Sequence, residues 1–249
     1  MSFHTFIILC PLIFLAGFVD SIAGGGGLIS LPAYIFTGIP IHNAIATNKL
    51  SSSTGTCVST WQLVKNKRVV ARLIPGTVIC TLIGAFCGAN LALVMSDWIL
   101  KKILIVLLPI VAFCVLKDKD TTVTIPEGFS GKKQYIICGI CSFVLGMYDG
   151  FYGPGTGTFL LLAFTKLGKI DMEKATGNVK IVNLTSNLTA LVTFIFAGKI
   201  LWSVGIVTSL FCIAGHYLGA HMVMKNGTKI IRPVILLVLA LLLIKIIFG

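Results

Sequence analysis

Apolar stretches of near-bilayer length recur along this chain, and they restrict it to a bundle of membrane helices. Phe6–Val19, Val78–Met95, Ile103–Leu116 and Pro233–Phe248 approach the roughly 20 apolar residues that a helix needs to cross a bilayer. Only 11% of the 249 residues are charged, against about 25% in a soluble domain. No polar segment is long enough to form a separate soluble domain. The expected fold class is all-α, a polytopic membrane protein with one transmembrane domain. Met1–His4 has no Lys or Arg ahead of the apolar run, as a secretory signal would need. Thr5–Val19 is therefore expected to be the first membrane element.

Against this apolar background four charged residues stand out, in two matching pairs. Asp20 precedes Gly24–Gly27, and Asp149 precedes Gly153-Pro154-Gly155-Thr156-Gly157. Lys49 follows the first glycine run and Lys180 the second. An ion in hydrocarbon costs at least a few kcal/mol, so such residues usually serve function. An offset of 129 carries Gly17, Asp20, Gly24 and Gly26 onto Gly146, Asp149, Gly153 and Gly155. An offset of 131 then carries Ala44, Lys49 and Thr54 onto Ala175, Lys180 and Thr185, and Gly84 and Gly88 onto Gly215 and Gly219. The chain is read as two copies of one unit, about 1–117 and 134–249.

Each copy reads as five helical elements. In the first they are Thr5–Ala23, Leu28–Phe36, Asn43–Val64, Arg72–Met95 and Trp98–Leu116. In the second they are Gln134–Tyr152, Thr158–Thr165, Ala175–Ala197, Leu201–Val223 and Ile231–Phe248. The second element of each copy is too short to span alone, so a broken or re-entrant hairpin is expected at each glycine run. If the copies are inverted, 14 basic loop residues fall on one side and only Lys101, Lys102, Lys199 and Lys245 on the other. That bias puts both termini outside and the inter-repeat loop in the cytoplasm. It also accounts for the net charge of +12 as topology, without a nucleic-acid partner. Inverted repeats with discontinuous helices place their sites near the midplane, at the repeat interface.

The motifs suit a small anion. Four successive glycines free backbone amides, and the short helix that follows offers a partly positive N-terminus. Gly25, Gly26, Gly155 and Thr156 are the expected backbone donors. Neither run ends in Gly-Lys-Ser/Thr, which argues against a nucleotide loop. Ala46–Thr56 and Ala175–Asn187 are unusually polar for membrane helices. Lys49 shares a helical face with Ser53, and Lys180 with Asn183. With Asn48 they supply charge and oriented donors that would replace an anion's hydration shell. The alternatives stay open at this stage. The glycines would equally permit tight helix crossing, and Lys49 and Lys180 would equally neutralise Asp20 and Asp149 in structural ion pairs. The two aspartates are candidates for proton coupling or for fixing the hinge. No metal or cofactor is expected: His4, His42, His216 and His221 form no ligand cluster, and Cys138-x-x-Cys141 reads as helix packing.

At these motifs the chain resembles the sulfite exporter TauE/SafE family, also called the 4-toluene sulfonate uptake permease family, and within it the YfcA-like branch. The resemblance rests on Gly17, Asp20, Gly24–Gly27 and Thr47–Lys49, then on Tyr148–Phe151 and Gly153–Gly157. It continues through Lys180, Asn183, Ser186 and Asn187, and ends at Ile231–Pro233. It implies a multi-pass bacterial inner-membrane permease for small anions, among them sulfur oxyanions and organic sulfonates or carboxylates. Asn178 stands where the first copy has Thr47, and Val179 where it has Asn48. A single asymmetric substrate site is expected from that inequality. A passive anion channel and, with less support, an intramembrane enzyme using Ser21, Ser51–Ser53 or His216 remain the rivals. The Gly84/Gly88 and Gly215/Gly219 faces would pack within the monomer or in a homo-oligomer; internal packing is expected, since both copies need internal contacts.

Overall fold

A computed structural model describes residues 3–100, 102–103 and 131–226. The labelled helices are α1 (Phe3–Ala23), α2 (Gly27–Phe36), α3 (Ile41–Lys65), α4 (Ile74–Val94), α5 (Gly131–Phe151), α6 (Thr156–Leu162), α7 (Met172–Phe196) and α8 (Trp202–Asn226). No strand occurs among the described residues. The expected element Ile231–Phe248 lies outside them, as does most of Trp98–Leu116.

Among the described residues, five stretches are long and apolar enough to cross a membrane: Thr5–Ile22, Ala71–Val94, Gly131–Phe151, Met172–Phe196 and Trp202–Lys225. α3 has 25 residues, enough length to span. It falls short on hydropathy because Thr47, Asn48, Lys49, Ser51, Ser53 and Thr56 are all turned inward and buried. Apolar side chains such as Ile79, Phe86, Ile136, Ile140, Leu210 and Leu218 instead face outward, as lipid contact requires.

The breaks after α1 and α5 fall at the glycine runs. α1 closes with Gly24 N–H on Asp20 O at 2.8 Å, and α2 starts three residues later. α6 begins at Thr156, two residues earlier than the sequence suggested, because left-handed Gly155 caps it directly. Its end widens into a π turn, Ala163–Leu167, with Gly168 N–H reaching back five residues to Ala163 O at 2.9 Å.

The two halves are interlocked. Helix α4 packs on α5, and α1 on α8. A side chain at Gly84 or Gly88 would overlap the Phe143 or Met147 carbonyl oxygen. One at Gly215 or Gly219 would overlap that of Phe14 or Phe18. These are repeat-equivalent contacts, each made between halves. Both small-residue faces are thus used inside the protomer, as expected. The same crossing recurs in hydrogen bonds: Leu201 N–H donates to Thr47 Oγ1 at 3.1 Å, and Val70 N–H to Asn178 Oδ1 at 2.7 Å. Val70 and Leu201 are 131 apart, as are Thr47 and Asn178. In the middle of the bundle Lys49 meets Asn187 while Thr60 meets Lys180. α3 and α7 therefore run in opposite directions.

A buried tyrosine ties the periphery to this centre. Tyr34 hydroxyl donates to Thr208 Oγ1 at 2.8 Å and bonds Ser51 Oγ at 3.0 Å. Tyr34→Phe is expected to cost about 1–2 kcal/mol, since it strips two buried hydroxyls of a partner. Thermal unfolding of the purified variant in detergent measures this.

Candidate functional site

The two glycine bends abut. A Cβ at Gly24 would overlap Gly157 Cα and sit 2.5 Å from the Gly157 carbonyl carbon. A Cβ at Gly27 would lie 3.1 Å from Pro154 Cα. This contact brings the two broken hairpins, one from each half, to one place.

The buried charges meet there in crossed pairs. Lys49 Nζ lies 3.2 Å from Asp149 Oδ1 and donates to Asn187 Oδ1 at 2.9 Å. Asp149 also accepts from the Ser186 hydroxyl. Lys180 Nζ lies 3.1 Å from Asp20 Oδ2 and donates to the Asp20 carbonyl. Gly26 N–H donates to Asp20 Oδ1 at 3.1 Å, and His216 Nε2 stands 3.5 Å from Asp20 Oδ2. Each lysine side chain is only 2% exposed. Neither snorkels to an interface, although long side chains do so where they can.

Gly153 makes the first pair possible, because a Cβ there would crowd Asp149 Oδ1 at 2.6 Å and Lys49 Nζ at 3.2 Å. Between the bends lies a small polar cavity of about 20 Å³, lined by Asp20, Asn48, Lys49, Ser52, Asp149, Asn183 and Asn187, among others. A second cavity of about 10 Å³ adjoins it, walled by His216 and sharing Asp20, Asn48 and Ser52. Each has room for about one water. The centre is closed around its own charges.

The sequence profile described as "Sulfite exporter TauE/SafE" matches residues 9–246. The chain belongs to the TauE/SafE family. It is 34% identical to the "Probable membrane transporter protein YfcA" of Escherichia coli (strain K12), over 100% of this chain and 94% of that protein. It is 36% identical to a "Probable membrane transporter protein" of Haemophilus influenzae, over 95% and 92%. It is 34% identical to the "Probable membrane transporter protein ORF9" of a Sinorhizobium species, over 96% and 90%. No solved structure matches it. This TauE/SafE member is thus a multi-pass protein of the cell membrane, in a family of probable membrane transporters.

Of the residues expected at the TauE/SafE site, Asn48, Lys49 and Asn183 line the larger cavity with Asp20 and Asp149. Lys180 is held against Asp20 behind it. Ser53 is buried, and its hydroxyl finds no partner among the described residues; Ser52 takes the lining position. Two of the four bend amides bond the protein itself. Gly26 N–H is taken by Asp20, and Thr156 N–H by Gly153 O at 3.2 Å. Gly25 and Gly155 lie at the bends, outside the residues lining either cavity. Thr47 and Asn178 play one structural role, each holding the next crossing's backbone. Asn48 faces the cavity, whereas Val179 packs in an apolar cluster with Leu73 and Val182. Of these two differences between the copies, only the one at Asn48 bears on the cavity.

Besides His216, three residues at this centre stand outside the expected site set. Asn187 lies two turns beyond Lys180 on the same face, and Ser186 beside it. Ser52 is the repeat equivalent of Asn183 at the offset of 131, a signal that outranks the four-residue spacing that pointed to Ser53.

Proposed function

We propose that this chain is a secondary transporter for small anions, in particular sulfur oxyanions and organic sulfonates or carboxylates, coupled to protons. The observation that carries the reading is the buried Lys49 facing a carboxamide- and hydroxyl-lined cavity where the broken hairpins touch, with a second buried lysine, Lys180, held against Asp20 of the cavity wall. Positive charge with oriented neutral donors is what a desolvated anion requires. The two copies are taken as inverted, for which the opposed run of α3 and α7 speaks. The excess of basic loop residues on one side would then face the cytoplasm. A cavity with room for about one water favours alternating access over an open channel, since an anion of several atoms needs the halves to part.

Ser59, His216 and Asp20 form a Ser–His–Asp line, with Ser59 Oγ 3.0 Å from His216 Nδ1. That line gives hydrolysis a formal foothold. Ser59 is completely buried and lines neither of the two central cavities, so its hydroxyl does not open onto the space the anion reading uses.

The test is uptake by proteoliposomes of methanesulfonate, acetate and sulfite, with and without a proton gradient. Uphill accumulation of at least one probe is expected. Asn183→Ala is expected to raise its KM about tenfold or more, the worth of one hydrogen bond to a charged group, with little change in folded protein. Uptake of none of the three would discard the anion reading.

A further inference from the structure

We propose that protons are carried on one side of this centre only, by His216 against Asp20, and that Asp149 stays an ion-paired fixture. The inference rests on the anion-transport reading above.

The first argument is charge balance. Asp20 and Asp149 offset Lys49 and Lys180, so the closed centre is neutral. A monoanion entering the cavity would leave one uncompensated negative charge at membrane depth, which is costly. One proton taken up with it restores neutrality without breaking either lysine pair.

The second argument is where that proton can sit. His216 Nε2 and Lys180 Nζ both approach Asp20 Oδ2, at 3.5 and 3.1 Å. On the other edge of the ring, Nδ1 is 3.0 Å from Ser59 Oγ, which is itself 3.1 Å from Thr56 O. The serine hydroxyl has one proton and two acceptors to choose from. It donates to Nδ1 when that nitrogen is bare. It donates to Thr56 O and accepts from Nδ1–H when the nitrogen is protonated. The ring therefore gains a proton without orphaning a buried polar atom. Other groups facing it are the Cys212 thiol of its own helix and, from α3, the neutral Gly55 and Ser59. Asp20 on α1 and Lys180 on α7 complete the charged surroundings.

The third argument is that the Asp149 centre lacks this device. The repeat equivalent of His216 is Ala85, and that of Gly55 is Ser186. A Cβ at Gly55 would overlap the His216 ring, so Gly55 makes the room His216 fills. At the other centre Ser186 donates straight to Asp149. The two positions differ as a set: glycine with histidine at the Asp20 centre, serine with alanine at the Asp149 centre. His216 also walls the smaller cavity, which shares Asp20, Asn48 and Ser52 with the larger. Proton and anion would thus be taken up across a common wall.

The test uses the full chain in proteoliposomes with a pH-sensitive dye inside. Methanesulfonate is the key probe, because it carries no proton of its own near neutrality; acetate and sulfite run beside it. In the wild type, an inward anion gradient is expected to carry protons with it, without net charge movement. His216→Gln is expected to lower net uptake about tenfold or more and flatten its pH dependence. Exchange of external for internal anion, which needs no net proton release, is expected to fall by no more than about threefold. Proton-to-anion coupling unchanged in His216→Gln overturns the proposal. Wild-type uptake that moves charge and no protons overturns it too, while leaving anion transport intact. Uptake of no probe removes the transport reading and this proposal with it. Should His216→Gln fail to fold, Ser59→Ala keeps the ring and removes its Nδ1 partner. A displaced pH profile of uptake is then expected, and an unmoved one counts against the relay.

Discussion

Lys49→Gln is expected to abolish anion uptake and to destabilise the protein by about 3–5 kcal/mol, because it strands a buried carboxylate. Asp149 would keep the Ser186 hydroxyl but lose the ammonium 3.2 Å away. Asn187 would lose its donor as well. Loss of flux alone does not tell a substrate-binding lysine from a structural one. The double variant Lys49→Gln/Asp149→Asn does. It removes both charges, and a neutral pair of similar shape is often tolerated where a half-broken ion pair is not. Most of the lost stability is expected to return, measured as thermal unfolding in detergent. Uptake is expected to stay below about a tenth of wild type, since the cavity then offers an anion one ammonium fewer. If flux returns with stability, Lys49 is only a counter-ion. The same pair of variants at Lys180 and Asp20 reads out the second centre, and there the backbone carbonyl of Asp20 loses a donor too.

Much of this centre was legible because the signals were local. Hydropathy gave the spans, glycine runs the breaks, and duplication singled out the aspartates and lysines. Which aspartate meets which lysine was not legible. Crossed and uncrossed pairing leave the same sequence, and the choice is made by α4 lying on α5 and α1 on α8. The bend amides were expected to meet substrate. Gly26 N–H instead meets Asp20 six residues earlier, since a tight bend brings its own carboxylate within reach. His216 enters the sequence reading as a residue of the enzyme rival and not of the anion site, for a different reason. Its counterpart in the first copy is Ala85, so the duplication that marks the aspartates and lysines does not mark it.

Gly24→Ala is expected to be strongly damaging for a change of one methyl group. Two costs add. The residue sits at φ +75°, a left-handed conformation that charges a side chain about 1–2 kcal/mol. Its new methyl would also overlap Gly157 Cα, and overpacking costs about 1–3 kcal/mol when the neighbour can shift. Here the neighbour is backbone in the opposite hairpin, with little freedom to give. Gly38→Ala isolates the contact term, because Gly38 has φ +81° and no atom within 4 Å of the added methyl. Gly38→Ala is expected to cost only the conformational part and to transport normally. Gly24→Ala is expected to lose at least about 2 kcal/mol more, with uptake reduced even where folded protein reaches the membrane. That second loss follows from geometry: separating the bends moves Lys49 and Asp149 away from Asp20 and Lys180 and opens the wall they share. Equal stability and equal flux for the two alanine variants would mean that the hairpins do not depend on touching, and the common anion site would lose its foundation.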